Sequence, residues 1–327
     1  MVSSGLPLVY IAHRIDADGR QAYGARLRGL AECVVAADLA PPDRQQRLAQ
    51  AEVLATFSPA HELGESELQQ VSHLSLVQCL AAGRDRFPFE RFQGPAVAFN
   101  PGAAAQPIAE HALALVLAAA KNLLPRHQQM AQGQFNQSEP NTRLAGKTAA
   151  VIGLGAIGSR VATLLQALGV TVRAINRSGH ASAAVALCRT LDGLGAVLDE
   201  ADIVVVAIEL NHATQGLIGR AELQRMRPDA ILVNVSRAAV VQQDALYEHL
   251  RTHPQFRAGL DVWWYEPMHG GGFELAHPFF TLPNLIGSPH NSPMVPGIMT
   301  DLIDAASANI ARHLRGEMVL HLSTSAM

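Results

Sequence analysis

VIGLGAIGSRVATLLQALG, residues 151–169, places three glycines between an apolar run and an amphipathic stretch. Gly153, Gly155 and Gly158 stand in G-x-G-x-x-G spacing. The first permits a tight turn, the second lets backbone approach a diphosphate, and the third lets a helix pack close to its strand. The N–H groups of Ala156 and Ile157 would then face the diphosphate at the helix N-terminus. A bare G-x-G-x-x-G is weak. Here it follows a strand pattern and opens a helix, the context that marks a dinucleotide site rather than a glycine-rich turn.

Outward from this segment the chain alternates short apolar runs with amphipathic stretches, the rhythm of parallel α/β sheets. Downstream strands are predicted at Thr148–Ile152, Val170–Ile175, Ile203–Ile208, Ala230–Val235, Ala258–Val262 and Leu285–Ile286. They are Val- and Ile-rich, as expected for a sheet covered on both faces. Upstream, Leu8–Ala12, Cys33–Ala37, Val53–Phe57, Leu76–Leu80 and Ala96–Phe99 read the same way. Pro107 opens one long helical pattern reaching Leu124, and a last helix spans about Val295–Leu314. The 327 residues leave room for about two domains.

Charge and composition narrow the function. With 25 basic and 28 acidic residues the net charge is −3, which excludes broad affinity for nucleic acid or anionic membranes. Cys33, Cys79 and Cys188 form no CxxC pair, so a disulfide framework and a cysteine zinc site are not expected. The apolar run Ala112–Ala120 is far short of the ~20 residues of a membrane span. No basic region precedes the apolar start. A soluble cytoplasmic protein is the expectation. His249 and His253 lie four apart on a predicted helix, but no third ligand or HExxH accompanies them, and no metal is expected.

The second strand of the nucleotide unit ends in Asn176-Arg177-Ser178, where an NAD site usually has an acid for the ribose hydroxyls. Loss of the carboxylate removes repulsion against a 2′-phosphate, and Arg177 can pair with one. The plain alternative is a solvated arginine. Because the missing acid and the added arginine point the same way, NADP is expected, with NAD as the alternative.

NVSRAAVV (Asn234–Val241), AGLDVWWYEP (Ala258–Pro267) and GSPHN (Gly287–Asn291) fall at later strand ends, where ligands bind in open parallel sheets. They put Arg237, Asp261, Glu266 and His290 where chemistry is expected. Arginine can bind a carboxylate bidentately, and a histidine beside a carboxylate can act as a general acid. Singly, each has an ordinary structural explanation; their joint order changes the reading. Trp263 and Trp264 read as packing beside this loop.

GLGAIG, NVSR, GLDVWWYEP and SPHN, with AAGRD (Ala81–Asp85), FNPG (Phe99–Gly102) and IAEHALAL (Ile108–Leu115), make the chain resemble the D-isomer-specific 2-hydroxyacid dehydrogenases over nearly its whole length. The resemblance implies two Rossmann-like doubly wound domains with the active site in the cleft between them. Residues 1–98 plus 293–327 would form the substrate domain and 99–292 the dinucleotide domain. Arg237 would bind substrate, His290 would be the acid/base, and Glu266 its partner carboxylate. Ala82 and Gly83 would hold the substrate carboxylate through backbone N–H groups. The cofactor set would include Ile208, Glu209, Thr214, Val235, Ser236 and Asp261.

The resemblance further implies hydride exchange between NADP(H) and a small 2-oxo acid or D-2-hydroxy acid, of glyoxylate or hydroxypyruvate type, by a homodimer. Alternatives are an NAD-dependent phosphoglycerate dehydrogenase-like enzyme, without that group's C-terminal regulatory domain, or a dinucleotide-binding regulator of the C-terminal-binding-protein type. Glu266 stands where formate dehydrogenases of the superfamily carry glutamine. Three departures concern the pocket: Ala238 replaces a usual glycine, Glu209 a frequent proline, and Asn291-Ser292 the usual small apolar pair.

Overall fold

The computed structural model describes residues 5–181, 185–267 and 272–323. The chain divides into two units, residues 1–104 with 296–327, and residues 105–295. The family resemblance implies boundaries at 98/99 and 292/293, so the units meet a few residues later than expected.

The first unit holds β1 (Leu8–Ile11), α1 (Ala17–Leu27), β2 (Glu32–Val35), α2 (Pro41–Ala49), β3 (Val53–Thr56), α3 (Pro59–Glu62), α4 (Glu65–Leu68), β4 (Leu76–Cys79) and β5 (Ala96–Ala98). The strands pair in parallel in the order β2-β1-β3-β4-β5. This is the doubly wound order in which ligands bind beyond the C-terminal strand ends. β1, β3 and β4 are buried along their whole length, which accounts for their mainly apolar sequences. Past the second unit, the last helix (Ile298–Leu314) returns to pack against α1. Its Ile303, Ala306 and Ile310 join Val9 and Ile11 in one core. Asn309 Nδ2 donates to Gln78 Oε1 at 2.7 Å and to Leu320 O at 3.0 Å, fixing the tail. The tail then runs antiparallel beside β5, with Ser323 N–H bonding Val97 O at 2.7 Å.

The second unit opens with α5 (Ala105–Ala120) and α6 (Leu123–Ala131), set 57° apart. The single helix expected through Leu124 is therefore corrected to two. Asn122 adopts φ 49°, a left-handed conformation that asparagine tolerates, and Lys121 Nζ reaches Thr142 O at 2.8 Å. Among the described residues no single helix is long and apolar enough to cross a membrane.

There follow β6 (Thr148–Ile152), α7 (Ala156–Ala167), β7 (Thr171–Ile175), β8 (Leu187–Arg189), α8 (Leu194–Asp199), β9 (Ile203–Val206), α9 (Arg220–Arg225), β10 (Ile231–Asn234), α10 (Gln243–Thr252), β11 (Arg257–Leu260) and β12 (Leu285–Gly287); the last helix above is α11. All seven strands are parallel, in the order β12-β11-β10-β9-β6-β7-β8. β6 and β9 flank the point where strand order reverses, and the glycine segment leaves β6 at that point. Among the described residues, eleven of the twelve strands lie where the sequence patterns put them, within two residues at each end. β8 was not expected. It is a three-residue edge strand, Leu-Cys-Arg, with no apolar run to announce it.

Candidate active site

The glycine segment has the shape its spacing requires. Gly153 sits at φ 96°, and a Cβ there would lie 2.5 Å from Ala207 O. A Cβ on Gly158 would lie 1.8 Å from Gly153 O, so the α7 backbone can approach β6 only without one. Gly155 caps α7 in extended conformation, and a Cβ there would point into open space. No side chain caps this helix end, where Ala156 and Ile157 begin the first turn. An open helix N-terminus over a side-chain-free cradle fits a dinucleotide diphosphate.

At the end of β7, the three residues read as a ribose-phosphate site divide their roles. Asn176 Oδ1 accepts Gly179 N–H at 2.7 Å, and its Nδ2 donates to His180 O at 2.6 Å. Ser178 Oγ donates to His180 O at 3.4 Å and accepts His180 N–H at 3.3 Å. These two side chains brace the turn, and Arg177, like Ser178, is exposed.

At the end of β9, Ile208 is half-buried and Glu209 lies in a loop closed by Thr214. Thr214 is buried; its Oγ1 donates to Glu209 O at 2.7 Å and accepts Asn211 N–H at 2.8 Å. The turn after β10 carries buried Val235, half-buried Ser236 and Arg237. Asn234, fully buried and absent from the predicted set, organises this turn. It accepts Ser236 N–H at 3.0 Å and Ser236 Oγ–H at 2.9 Å, and it donates to Arg237 O at 3.0 Å. Arg237 Nη1 donates to Ser236 O at 2.9 Å. Ala238 is outside the left-handed region, so glycine is not needed there.

Past β11 and β12 the structure brings Glu266 and His290 together. His290 Nδ1 lies 2.9 and 3.0 Å from the two Glu266 carboxylate oxygens. Trp263 N–H donates to Glu266 Oε1 at 3.0 Å, which fixes the carboxylate. The Glu266 side chain is only 7% exposed, against 24% for His290. The acid therefore sits behind the ring and the ring keeps access to solvent. With Nδ1 committed to the carboxylate, Nε2 is the nitrogen left for a ligand proton.

Two buried anchors hold that ring. His290 has φ 52°, a strained conformation for a non-glycine residue, of order 1–3 kcal/mol. Asp261, fully buried, accepts Ser288 Oγ–H at 2.6 Å and the N–H groups of Asn291 and Ser292 at 3.2 Å each. Its carboxylate thus grips the chain on both sides of His290. The Asn291-Ser292 departure is harmless here, because the bonds use backbone N–H groups. His111 Nε2 lies 2.7 Å from Ser288 Oγ, and Trp263 Nε1 donates to Ser288 O at 2.8 Å. Asn234, Ser288 and His111 were all missed as site residues. Trp264 stacks on Phe279 and donates to Val241 O at 2.8 Å, a packing role.

In the first unit, Ala82 and Gly83 leave the end of β4 on a loop tied by Leu80 N–H to Thr56 O at 2.8 Å and by Asn100 N–H to Ala81 O at 3.1 Å.

His249 and His253 stack with ring centroids 4.1 Å apart. Among the described residues no group of three His, Cys, Asp or Glu is placed to hold a metal. His249 is buried, its Nε2 has no hydrogen-bond partner, and burial with the nearby His253 pushes its pKa down to about 4. A neutral buried histidine must take up a proton when the chain unfolds below pH 6.5. Stability is then lost as pH falls from about 6.5 towards 4, by on the order of 3 kcal/mol in full. Urea unfolding at pH 7 and pH 5 should show His249→Phe losing less stability than the parent on acidification. Equal losses would contradict this.

The profile described as D-isomer specific 2-hydroxyacid dehydrogenase, NAD binding domain, matches residues 113–292, more than half of the chain. A glyoxylate reductase of Aeropyrum pernix is 30% identical over 261 residues, 77% of this chain and 76% of that one. A D-3-phosphoglycerate dehydrogenase of Methanocaldococcus jannaschii is 27% identical over 296 residues, 89% of this chain and 55% of that one. The chain thus spans about half the length of that relative. A crystal structure from Pyrobaculum aerophilum, provisionally named a formate dehydrogenase, superposes with TM-score 0.78 at 28% identity, covering 96% of this chain and 97% of that one. With its glycine cradle at the strand-order reversal and its paired glutamate and histidine, the chain belongs to the D-isomer-specific 2-hydroxyacid dehydrogenase family.

Proposed function

We propose that this chain reduces small 2-oxo acids to D-2-hydroxy acids with NADPH. The observation that carries the reading is the Glu266–His290 pair, set on the same strand-end edge as the glycine cradle. When bound, the dinucleotide supplies the hydride that C2 accepts. Arg237 binds the substrate carboxylate and polarises the 2-oxo group. His290 donates the proton that the developing alkoxide needs, and Glu266 orients the ring through its contact with Nδ1. The N–H groups of Ala82 and Gly83 give the carboxylate further donors. In this reading the first unit serves the substrate and the second the dinucleotide.

Formate oxidation releases carbon dioxide and asks for no proton donor at a substrate oxygen. Carbonyl reduction does ask for one, which supports the 2-oxo acid. The test is NADPH oxidation over a panel including glyoxylate, hydroxypyruvate and bulkier 2-oxo acids. Turnover with at least one supports the proposal. Cofactor binding without any turnover would favour a dinucleotide-binding regulator instead.

Glu266→Gln keeps a hydrogen bond but removes the charge beside the imidazole. The kcat for 2-oxo acid reduction should fall, by less than the about 10²–10⁴-fold that loss of the acid itself costs. An unchanged kcat would take Glu266 out of proton transfer.

We propose a homodimer, because α6 and the segment after it expose Leu123, Met130 and Phe135 at 55%, 61% and 73%. Light scattering should give twice the chain mass of 34.9 kDa. The single-chain mass at micromolar concentration would contradict it.

A further inference from the structure

His111 lies in IAEHALAL on α5, and none of the steps above uses it. It stands four residues before Leu115, so the two side chains share a helix face. Leu115 lies over Gly259 of β11, where a Cβ would come within 2.9 Å of the Leu115 Cβ. That close approach sets this face of α5 against β11 and brings His111 to the ends of β11 and β12. Asp261 and Ser288 directly follow those two strands.

The hydrogen bonds at this point have one consistent direction. A carboxylate only accepts, so the single Ser288 hydroxyl proton goes to Asp261 Oδ1 at 2.6 Å. Ser288 Oγ is then an acceptor, and His111 Nε2, 2.7 Å away, is the protonated nitrogen that donates to it. The same Nε2 lies 3.5 Å from Asp261 Oδ1. Asp261 in turn accepts Asn291 N–H on Oδ1 and Ser292 N–H on Oδ2. A chain of bonds therefore runs from α5 through Ser288 and Asp261 to the two residues that follow His290. The His290 φ of 52° persists only where its surroundings over-determine it. Without the His111 donor, the Ser288 hydroxyl is free to turn, and the buried carboxylate loses the bond that fixes its plane.

We propose that His111 is a positioning residue for His290: by donating to Ser288 it fixes the Asp261 carboxylate, and so the placement of the His290 ring toward the substrate oxygen. This rests on the reading of His290 as the proton donor in 2-oxo acid reduction. Such a step is sensitive to geometry, and a misplacement on the order of 1 Å caused by a distant change can cost about 100-fold.

The test uses three variants of the full chain. His111→Phe keeps a ring but has no donor, His111→Gln keeps an N–H donor, and Ser288→Ala removes the middle link. In His111→Phe, kcat for 2-oxo acid reduction should fall about 10- to 100-fold while KM for the 2-oxo acid and NADPH affinity stay nearly unchanged. His111→Gln should recover most of the loss. Ser288→Ala should cost about as much as His111→Phe, and the double variant no more than either alone. Ser288→Ala with its own kcat and KM carries the test if His111→Phe does not fold. Hydrogen exchange at the Asn291 and Ser292 amides, followed by NMR, should quicken about 10-fold in His111→Phe and slow again in His111→Gln. An unchanged kcat in His111→Phe overturns the proposal. So do additive losses in the double variant, or a loss that His111→Gln does not repair, which would make His111 a packing residue only. Exchange separates the proposal from the reading beneath it. If the parent turns over no 2-oxo acid, the reductase reading fails and exchange alone decides: quickening that His111→Gln reverses keeps the link to the His290 loop, and unaltered exchange removes it.

Discussion

Replacing His290 with alanine is expected to lower kcat for 2-oxo acid reduction by about 10²–10⁴-fold, the usual worth of a positioned general acid. The expectation rests on geometry more than on histidine's identity. The ring is backed by a nearly buried carboxylate at 2.9 Å, and Asp261 grips the backbone at Asn291 and Ser292. Alanine removes the Glu266 contact but should leave the Asp261 bonds in place, since these use the backbone N–H groups of Asn291 and Ser292. Dinucleotide binding, read by fluorescence titration, should therefore survive while turnover falls. Near-wild-type kcat at neutral pH would remove His290 from the mechanism.

Arg177→Ala is expected to lower the NADPH-to-NADH ratio of kcat/KM by about 10- to 100-fold, the range for a charge-assisted hydrogen bond. With Asn176 and Ser178 bonded within the turn, the phosphate-binding burden falls on Arg177. The rival geometry is stacking of Arg177 on the adenine face, which both cofactors share. Equal losses with NADPH and NADH would establish stacking and defeat the phosphate reading. Exposure makes the effect salt-sensitive, so the ratio should narrow at high ionic strength. Asn176→Asp is a poorer probe than its position suggests. It would replace the donor to His180 O with a repelling oxygen and loosen the turn itself.

The parallel strands were legible because both faces are covered, which turns each into an apolar run bounded by polar turns. Ile203–Val206 is Ile-Val-Val-Val and wholly buried. The glycine positions were legible because close approach excludes Cβ, a constraint that writes itself locally. Glu266 and His290 could be paired only through the family resemblance, since 24 residues separate them and no periodicity joins them. The anchors behind them left still less signal. The contact of His111 with Ser288 spans 177 residues, and that of Asn309 with Gln78 spans 231. The break at Asn122 was hidden because one left-handed residue inside a helical composition does not disturb the apolar pattern. Asn176 and Ser178 show the converse: a correct location, with the side chains used by the turn rather than left for a ligand.

The claim that the Glu266–His290 edge reduces a 2-oxo acid by hydride transfer is tested most directly by following the label. The protein is incubated with NADPH carrying deuterium at the transferable C4 position, and with a 2-oxo acid that supports turnover in the panel. The product is then resolved by chiral chromatography with mass detection. The expected product is the D-2-hydroxy acid, one mass unit heavier from deuterium at C2, formed in step with NADPH oxidation and lost in His290→Ala. Unlabelled product, the L enantiomer, or NADPH oxidation without hydroxy acid would contradict it.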